Sequence, residues 1–124
     1  MILYFTSELS PTIKIKISNK TIFEGVADKE LYVESIQNRG KLVVQMFDKD
    51  PRNQPAGKDT HIKLETIKFG DLVIDENKIY QLYDPVVNNT KTLYLGFNVP
   101  TQLEIDIEHP YNKLIKRLAL LSER

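Results

Sequence analysis

Short runs in which apolar and polar residues alternate strictly limit what this chain can fold into more than any other feature. Thr12 to Ile17 (TIKIKI) sets Ile13, Ile15 and Ile17 on one side and Lys14 and Lys16 on the other. Gln102 to Ile107 (QLEIDI) does the same, with Leu103, Ile105 and Ile107 against Glu104 and Asp106. Lys41 to Phe47 opposes Leu42, Val44 and Met46 to Val43, Gln45 and Phe47, and after a polar loop Ile62 and Leu64 oppose His61, Lys63 and Glu65. A period of two means strands with one face turned to a core.

Further strand candidates are Ile2 to Phe5, Thr21 to Glu24, Glu30 to Ile36, Asp71 to Ile74, Lys78 to Tyr83 and Thr92 to Phe97. Turn signals separate them at Ser18-Asn19-Lys20, Asn38-Arg39-Gly40, Asp75-Glu76-Asn77 and Asn88-Asn89-Thr90. Many short strands with turns roughly every 8–12 residues predict an all-β, antiparallel β-sandwich of jelly-roll or other Greek-key type. The end of the chain changes period. Pro110 can open a helix, and Tyr111, Leu114, Ile115, Leu118 and Leu121 recur at helical spacing, so an amphipathic helix is expected over 110–122.

At 124 residues the chain is expected to be one domain, residues 1–124, with no linker or repeat dividing it. Seventeen basic residues balance seventeen acidic ones, which speaks against a nucleic-acid binder, because phosphate neutralisation supplies most of such a protein's affinity. The absence of cysteine removes disulfides, thiolate metal sites and Cys nucleophiles. No apolar run approaches a membrane span, and the start MILYFTSELS, with Glu8 and no positive region, does not read as a signal peptide. The two sequons, at Asn19 and Asn88, read as ordinary turns.

Few groupings suggest chemistry. The loop DKDPRNQPAGKDT carries Asp48, Asp50, Asn53 and Asp59, oxygen donors of the kind Ca²⁺ takes. EF-hand spacing fails, however, and Lys49, Arg52 and Lys58 oppose a cation. A solvated loop is the plain reading, and a Ca²⁺ site on Asp48, Asp50 and Asp59 the alternative. Tyr80, Tyr83 and Tyr94 would lie on neighbouring strands if those strands pair, which suggests a face for stacking sugar rings, or ordinary strand packing. The carboxylates Glu104, Asp106 and Glu108 form a row on one strand rather than a pair facing across a cleft, so they do not make a glycosidase. His61 and His109 form no metal-binding pair, no serine sits in a G-x-S-x-G context, and the glycines are scattered singly. No enzyme and no obligatory cofactor is expected. The stripe Leu114, Ile115, Leu118 and Leu121 is either the domain's own lid or a partner's contact.

Residues 41–74, a strand KLVVQMF, a D-K-D-P-R-N loop and then D-T-H-I-K-L-E-T-I-K-F-G-D-L-V-I, resemble small jelly-roll domains of tailed-phage virion proteins. These are similar in turn to carbohydrate-binding modules, and Asp59, Ile62, Leu64 and Ile67 are the matching positions. The resemblance implies a non-enzymatic virion or assembly protein, found in the virion or the host cytoplasm. It would bind other protein subunits through sheet edges and the C-terminal helix, and form an oligomer. The alternative it implies is a glycan-binding module, with Ca²⁺ at Asp48, Asp50 and Asp59 as an assisting ion.

Overall fold

The computed structural model describes residues 1–47, 60–87, 89–96 and 101–122, and of residues 117, 121 and 122 the backbone alone. Its strands are β1 (Ile2–Glu8), β2 (Thr12–Ile17), β3 (Lys20–Val26), β4 (Glu30–Glu34), β5 (Gly40–Met46), β6 (His61–Phe69) and β7 (Leu72–Ile74). A short helix α1 (Glu76–Leu82) follows, then β8 (Tyr94–Leu95), β9 (Gln102–Ile107) and the helix α2 (Pro110–Ser122). One sheet runs β4-β1-β6-β7, with β8 also paired to β6; the other runs β3-β2-β5-β9. Every pairing is antiparallel. Apart from the β2–β3 and β6–β7 hairpins, successive strands mostly cross from one sheet to the other. This is the antiparallel sandwich with a C-terminal helix that the alternation predicts.

The inward residues of the two sheets form one core. Leu3, Phe5, Ile15, Leu42, Leu64 and Ile105 are among its members, each essentially inaccessible to water. Burying such a side chain contributes about 1.5–3 kcal/mol, so the alternation on the sequence is itself the main source of stability. The turns follow local chemistry. Ser18 and Asn19 both take positive φ, the geometry that lets a two-residue loop follow the twist of β2 and β3. Gly40 sits at φ +123°, and the space a Cβ would occupy is filled by the Ser18 hydroxyl.

Besides a bulge at Ile22 in the β2–β3 pairing, two features depart from regular alternation. β6 pairs Phe5 with Leu64 and Tyr4 with Thr66, so Glu65 is an extra residue, a bulge, in the middle of the strand. Ile62 and Leu64 before it and Ile67 and Phe69 after it all reach the core despite their opposite parity. The second departure corrects the reading of Lys78 to Tyr83 as a strand. These residues belong to α1 and its C-cap, with Asp75 as N-cap accepting a hydrogen bond from the Lys78 N–H at 3.1 Å. Ile79 and Tyr83, four residues apart and both buried, face the core from the helix, as a period of 3.6 allows and a period of two does not. The expected strand at Thr92 to Phe97 is limited to β8 among the described residues, with Leu93 and Leu95 buried; Phe97 lies outside them.

Candidate interaction surface

The start of α2 is fixed to the body by several different contacts. Pro110 is buried. The preceding His109 has its ring between Phe69 (centroids 5.2 Å apart, edge-on) and Tyr111 (5.1 Å, stacked). Tyr83 donates its hydroxyl to the Glu108 carbonyl at 2.7 Å, and the Lys113 ammonium lies 4.7 Å from the centre of the Tyr83 ring. The Glu108 carboxylate pairs with Lys116 at 3.2 Å and, more loosely, with Arg39 at 3.8 Å. Burial and the nearby Glu108 charge hold the Tyr83 phenol well above the usual tyrosine range.

Beyond that anchor several apolar side chains of the helix are exposed. Tyr111, Ile115 and Leu118 are 56%, 64% and 65% exposed. At positions i, i+4 and i+7 they share one face. Leu114, also exposed, turns toward a groove of about 290 Å³ whose walls include Leu72, Ile74, Leu82 and Pro110. Of the four residues expected to contact a partner, Leu114, Ile115 and Leu118 are therefore uncovered within the chain, and the side chain of Leu121 lies outside the described residues.

The sheet edges differ from one flank to the other. On the β7/β9 flank, Val86 forms a bridge to Glu104, covering part of the β9 edge, while β7 and β8 divide the edge of β6 between them. On the opposite flank β3 and β4 end their sheets. Beside them a groove of about 450 Å³ includes Ile22, Glu34 and Ile36, and Ile36 projects fully into solvent, at 104%.

The three tyrosines expected to form a sugar platform do not share a face. Tyr80 and Tyr83 are on and just after α1, and Tyr83 is only 3% exposed, which removes it from any surface. The proposed hairpin between their segments is replaced by pairing of β8 with β6, which sets Tyr94 opposite Lys63. Lys63 pairs with Glu76 at 3.0 Å, and that hydrogen bond raises the ammonium pKa above its ordinary value, with Tyr80 close enough to add to the effect. An aromatic pair that the sequence reading missed lies elsewhere on the same outer face. Tyr4 and Tyr32, directly opposite each other on β1 and β4, stack with ring centroids 4.6 Å apart. The Tyr4 hydroxyl donates to Glu30 at 3.1 Å and the Thr6 hydroxyl to Glu65 at 2.8 Å. Their outward parity was visible in the sequence, but not that residues so far apart in the chain are neighbours.

Asp48, Asp50 and Asp59, the proposed Ca²⁺ ligands, lie outside the described residues. Among the described residues no three His, Asp or Glu side chains gather as a metal site would require, and no helix is long and apolar enough to cross a membrane. An open cleft of about 440 Å³ brings Ser7, Ser10 and Lys29 near His61, whose Nδ1 is 3.6 Å from Glu8. The Ser7 hydroxyl is mostly buried and donates to the Asp28 carbonyl at 2.5 Å, with the Ala27 carbonyl also within reach, so its proton is turned to the backbone rather than to His61. Compared with protein-family models, with curated proteins and with solved structures, the chain matches none.

Proposed function

We propose that this chain is a non-enzymatic assembly subunit that binds other protein subunits, with α2 as its principal contact. The observation that carries this reading is a helix held firmly at its first turn whose apolar face, at Ile115 and Leu118, stays about two-thirds exposed. Exposed apolar stripes of this kind mark interaction sites, because a helix stripe is stabilising only when something covers it. The edges of β3 and β4, which end their sheets among the described residues, with Ile36 beside them, offer a second contact of the kind sheets use to join subunits. The resemblance at Asp59, Ile62, Leu64 and Ile67 suggests a virion as the setting, where repeated subunits are the rule.

The test is the size of the chain in an extract of its natural source, measured for the parent and for a Leu118→Asp variant. The reading expects the parent in a particle well above 14.4 kDa, and loss of that particle in the variant. A parent that elutes at its own mass in the extract would overturn it. Glycan binding is a second reading, favoured by the stacked Tyr4–Tyr32 pair, whose Tyr32 is exposed at a sheet edge beside Glu30. Sugar rings stack on such faces. A glycan array should then show a hit that Tyr32→Ala abolishes, and an array with no hit ends this reading.

A further inference from the structure

We infer that the edge of β4 is a binding site for an extended segment of a partner protein that carries arginine at alternate positions and pairs with β4 as an added antiparallel strand. This rests on the reading of the sheet edges as subunit contacts and names the chemistry of what one of them takes. The pairing of β1 with β4 determines which groups that edge offers. The Ser7 N–H donates to the Lys29 carbonyl at 3.0 Å, and Ser35 and Met1 exchange bonds at 2.8 and 2.9 Å. These pairs, with Phe5–Leu31 and Leu3–Val33 between them, are the hydrogen-bonded positions of the ladder. The intervening residues Glu30, Tyr32 and Glu34 therefore turn their N–H and C=O groups away from β1 and off the sheet, where no other described strand pairs with them. Side chains opposite each other at such positions are close, which is why Tyr4 and Tyr32 can stack at 4.6 Å.

The side chains of the same three residues are exposed on the outer face. Tyr4 covers the Tyr32 ring from the β1 side, so the ring's other face looks off the edge. Glu30 and Glu34 flank it, each about 7 Å along the strand. Glu30 accepts a hydrogen bond from the Tyr4 hydroxyl, and neither carboxylate forms an ion pair with a described cation. An aromatic face between two unneutralised carboxylates is complementary to guanidinium, which stacks on the ring and donates its fork of N–H groups to a carboxylate. A strand added in antiparallel register sets alternate side chains opposite Glu30, Tyr32 and Glu34, on the same face. Its other side chains lie beside the half-buried Leu31 and the buried Val33, and apolar residues suit them. A second copy of β4 does not fit. Two-fold pairing about Tyr32 puts Glu30 opposite Glu34 twice, and like charges directly opposite each other are destabilising. The edge is thus guarded against its own copy and open to a basic strand.

Three synthetic peptides, alternating valine with arginine, with serine or with glutamate, test this by titration into the isotope-labelled full chain. The arginine peptide should move the amide signals of Glu30, Tyr32 and Glu34, with a dissociation constant of roughly 10 μM to 1 mM. The serine peptide should bind about tenfold more weakly, and the glutamate peptide more weakly still. Glu30→Gln with Glu34→Gln should lower the affinity for the arginine peptide about tenfold, and Glu30→Lys with Glu34→Lys should reverse the preference toward the glutamate peptide. Both residues are exposed, so the variants should keep the parent's circular dichroism. In the antiparallel register the arginine residues also carry the N–H groups that face β4. N-methylation at the arginines should therefore abolish binding, and N-methylation at the valines should not.

An arginine peptide that binds no better than the serine peptide overturns the inference. So does binding that survives in the Glu30→Gln, Glu34→Gln variant, or that survives N-methylation at the arginines. A sugar that binds at Tyr32 while no peptide does gives the face to the glycan reading instead. Failure here and failure of the proposed function are distinguishable. A particle in the source extract that depends on Leu118 while no peptide binds refutes this inference alone. A parent at its own mass in the extract refutes the proposed function, and the titrations still decide the β4 site.

Discussion

The hydroxyl of Tyr83 offers a sharp test of how α2 is held. Replacing Tyr83 by Phe keeps the buried ring and removes only the 2.7 Å hydrogen bond to the Glu108 carbonyl, the residue that leads into the helix. An intramolecular hydrogen bond of this kind contributes about 0.5–1.5 kcal/mol, and leaving a partly buried carbonyl without its partner brings the expected cost to about 1–2 kcal/mol at neutral pH. The dependence on pH separates this cause from a simple packing defect. Burial and the Glu108 charge raise the folded-state pKa of Tyr83, so between the ordinary tyrosine pKa of about 10 and its higher folded value the folded chain binds more protons than the unfolded one. The Tyr83 contribution is therefore fully present below pH ~10 and lost as the pH rises above it, at up to about 1.4 kcal/mol per pH unit. Tyr83→Phe has no such loss, while every other titrating group is shared by the two proteins. The parent's advantage at pH 7 should shrink to nothing within about one to two pH units above 10 and then reverse. Urea unfolding of both proteins at pH 7, 9, 10 and 11, read by circular dichroism, measures the gap directly. A gap that stays constant from pH 7 to 11 would show that the hydroxyl is not held neutral by the fold, and the account of the α2 anchor would fail.

Other substitutions test the local arguments. Gly40→Ala should destabilise the chain by about 2 kcal/mol or more, since φ +123° disfavours a side chain and the Ser18 hydroxyl fills its place; Ser18→Ala in the same background should recover part of the loss in urea midpoint. Asp75→Ala should cost about 1 kcal/mol by leaving the Lys78 N–H uncapped, and Asp75→Asn should cost much less; thermal melts distinguish them. Ile79→Ala should cost about 2–5 kcal/mol because Ile79 is fully buried, whereas Ile115→Ala, on the exposed face of α2, should change monomer stability by about 0.5 kcal/mol or less.

Much of the sandwich was legible because its information is local. Each alternating run carries its own inward face, and the positions that alternation marked at Ile13, Ile15, Leu42, Val44, Leu103 and Ile105 are core positions. The helix beginning at Pro110 was legible for the same reason, since a change of period needs no knowledge of the rest of the chain. α1 was missed although its signals are also local. Ile and Tyr favour strands, and Asp75-Glu76-Asn77 reads equally as a turn or as a helix start. The spacing of Ile79, Leu82 and Tyr83 and the cap at Asp75 would have decided for the helix. The surfaces were less legible. The Tyr4–Tyr32 stack joins β1 to β4, and the apolar groove draws walls from β7, α1 and α2. Such neighbourhoods depend on strand order, which alternation does not encode.

The bulge at Glu65 has a consequence for how this chain tolerates change in length. A residue removed from the middle of an inner strand normally reverses every side chain beyond it and destroys the core. Here Tyr4 already pairs with Thr66 and Phe5 with Leu64, passing over Glu65. Without Glu65, Ile62, Leu64, Ile67 and Phe69 fall into unbroken alternation with their partners unchanged. The centre of this sheet is thus a place where the chain can shorten by one residue and keep its core, losing mainly the bend and the hydrogen bond from Thr6. A deletion at this position would be read from the sequence alone as fatal; the pairing makes it one of the mildest available within the strands.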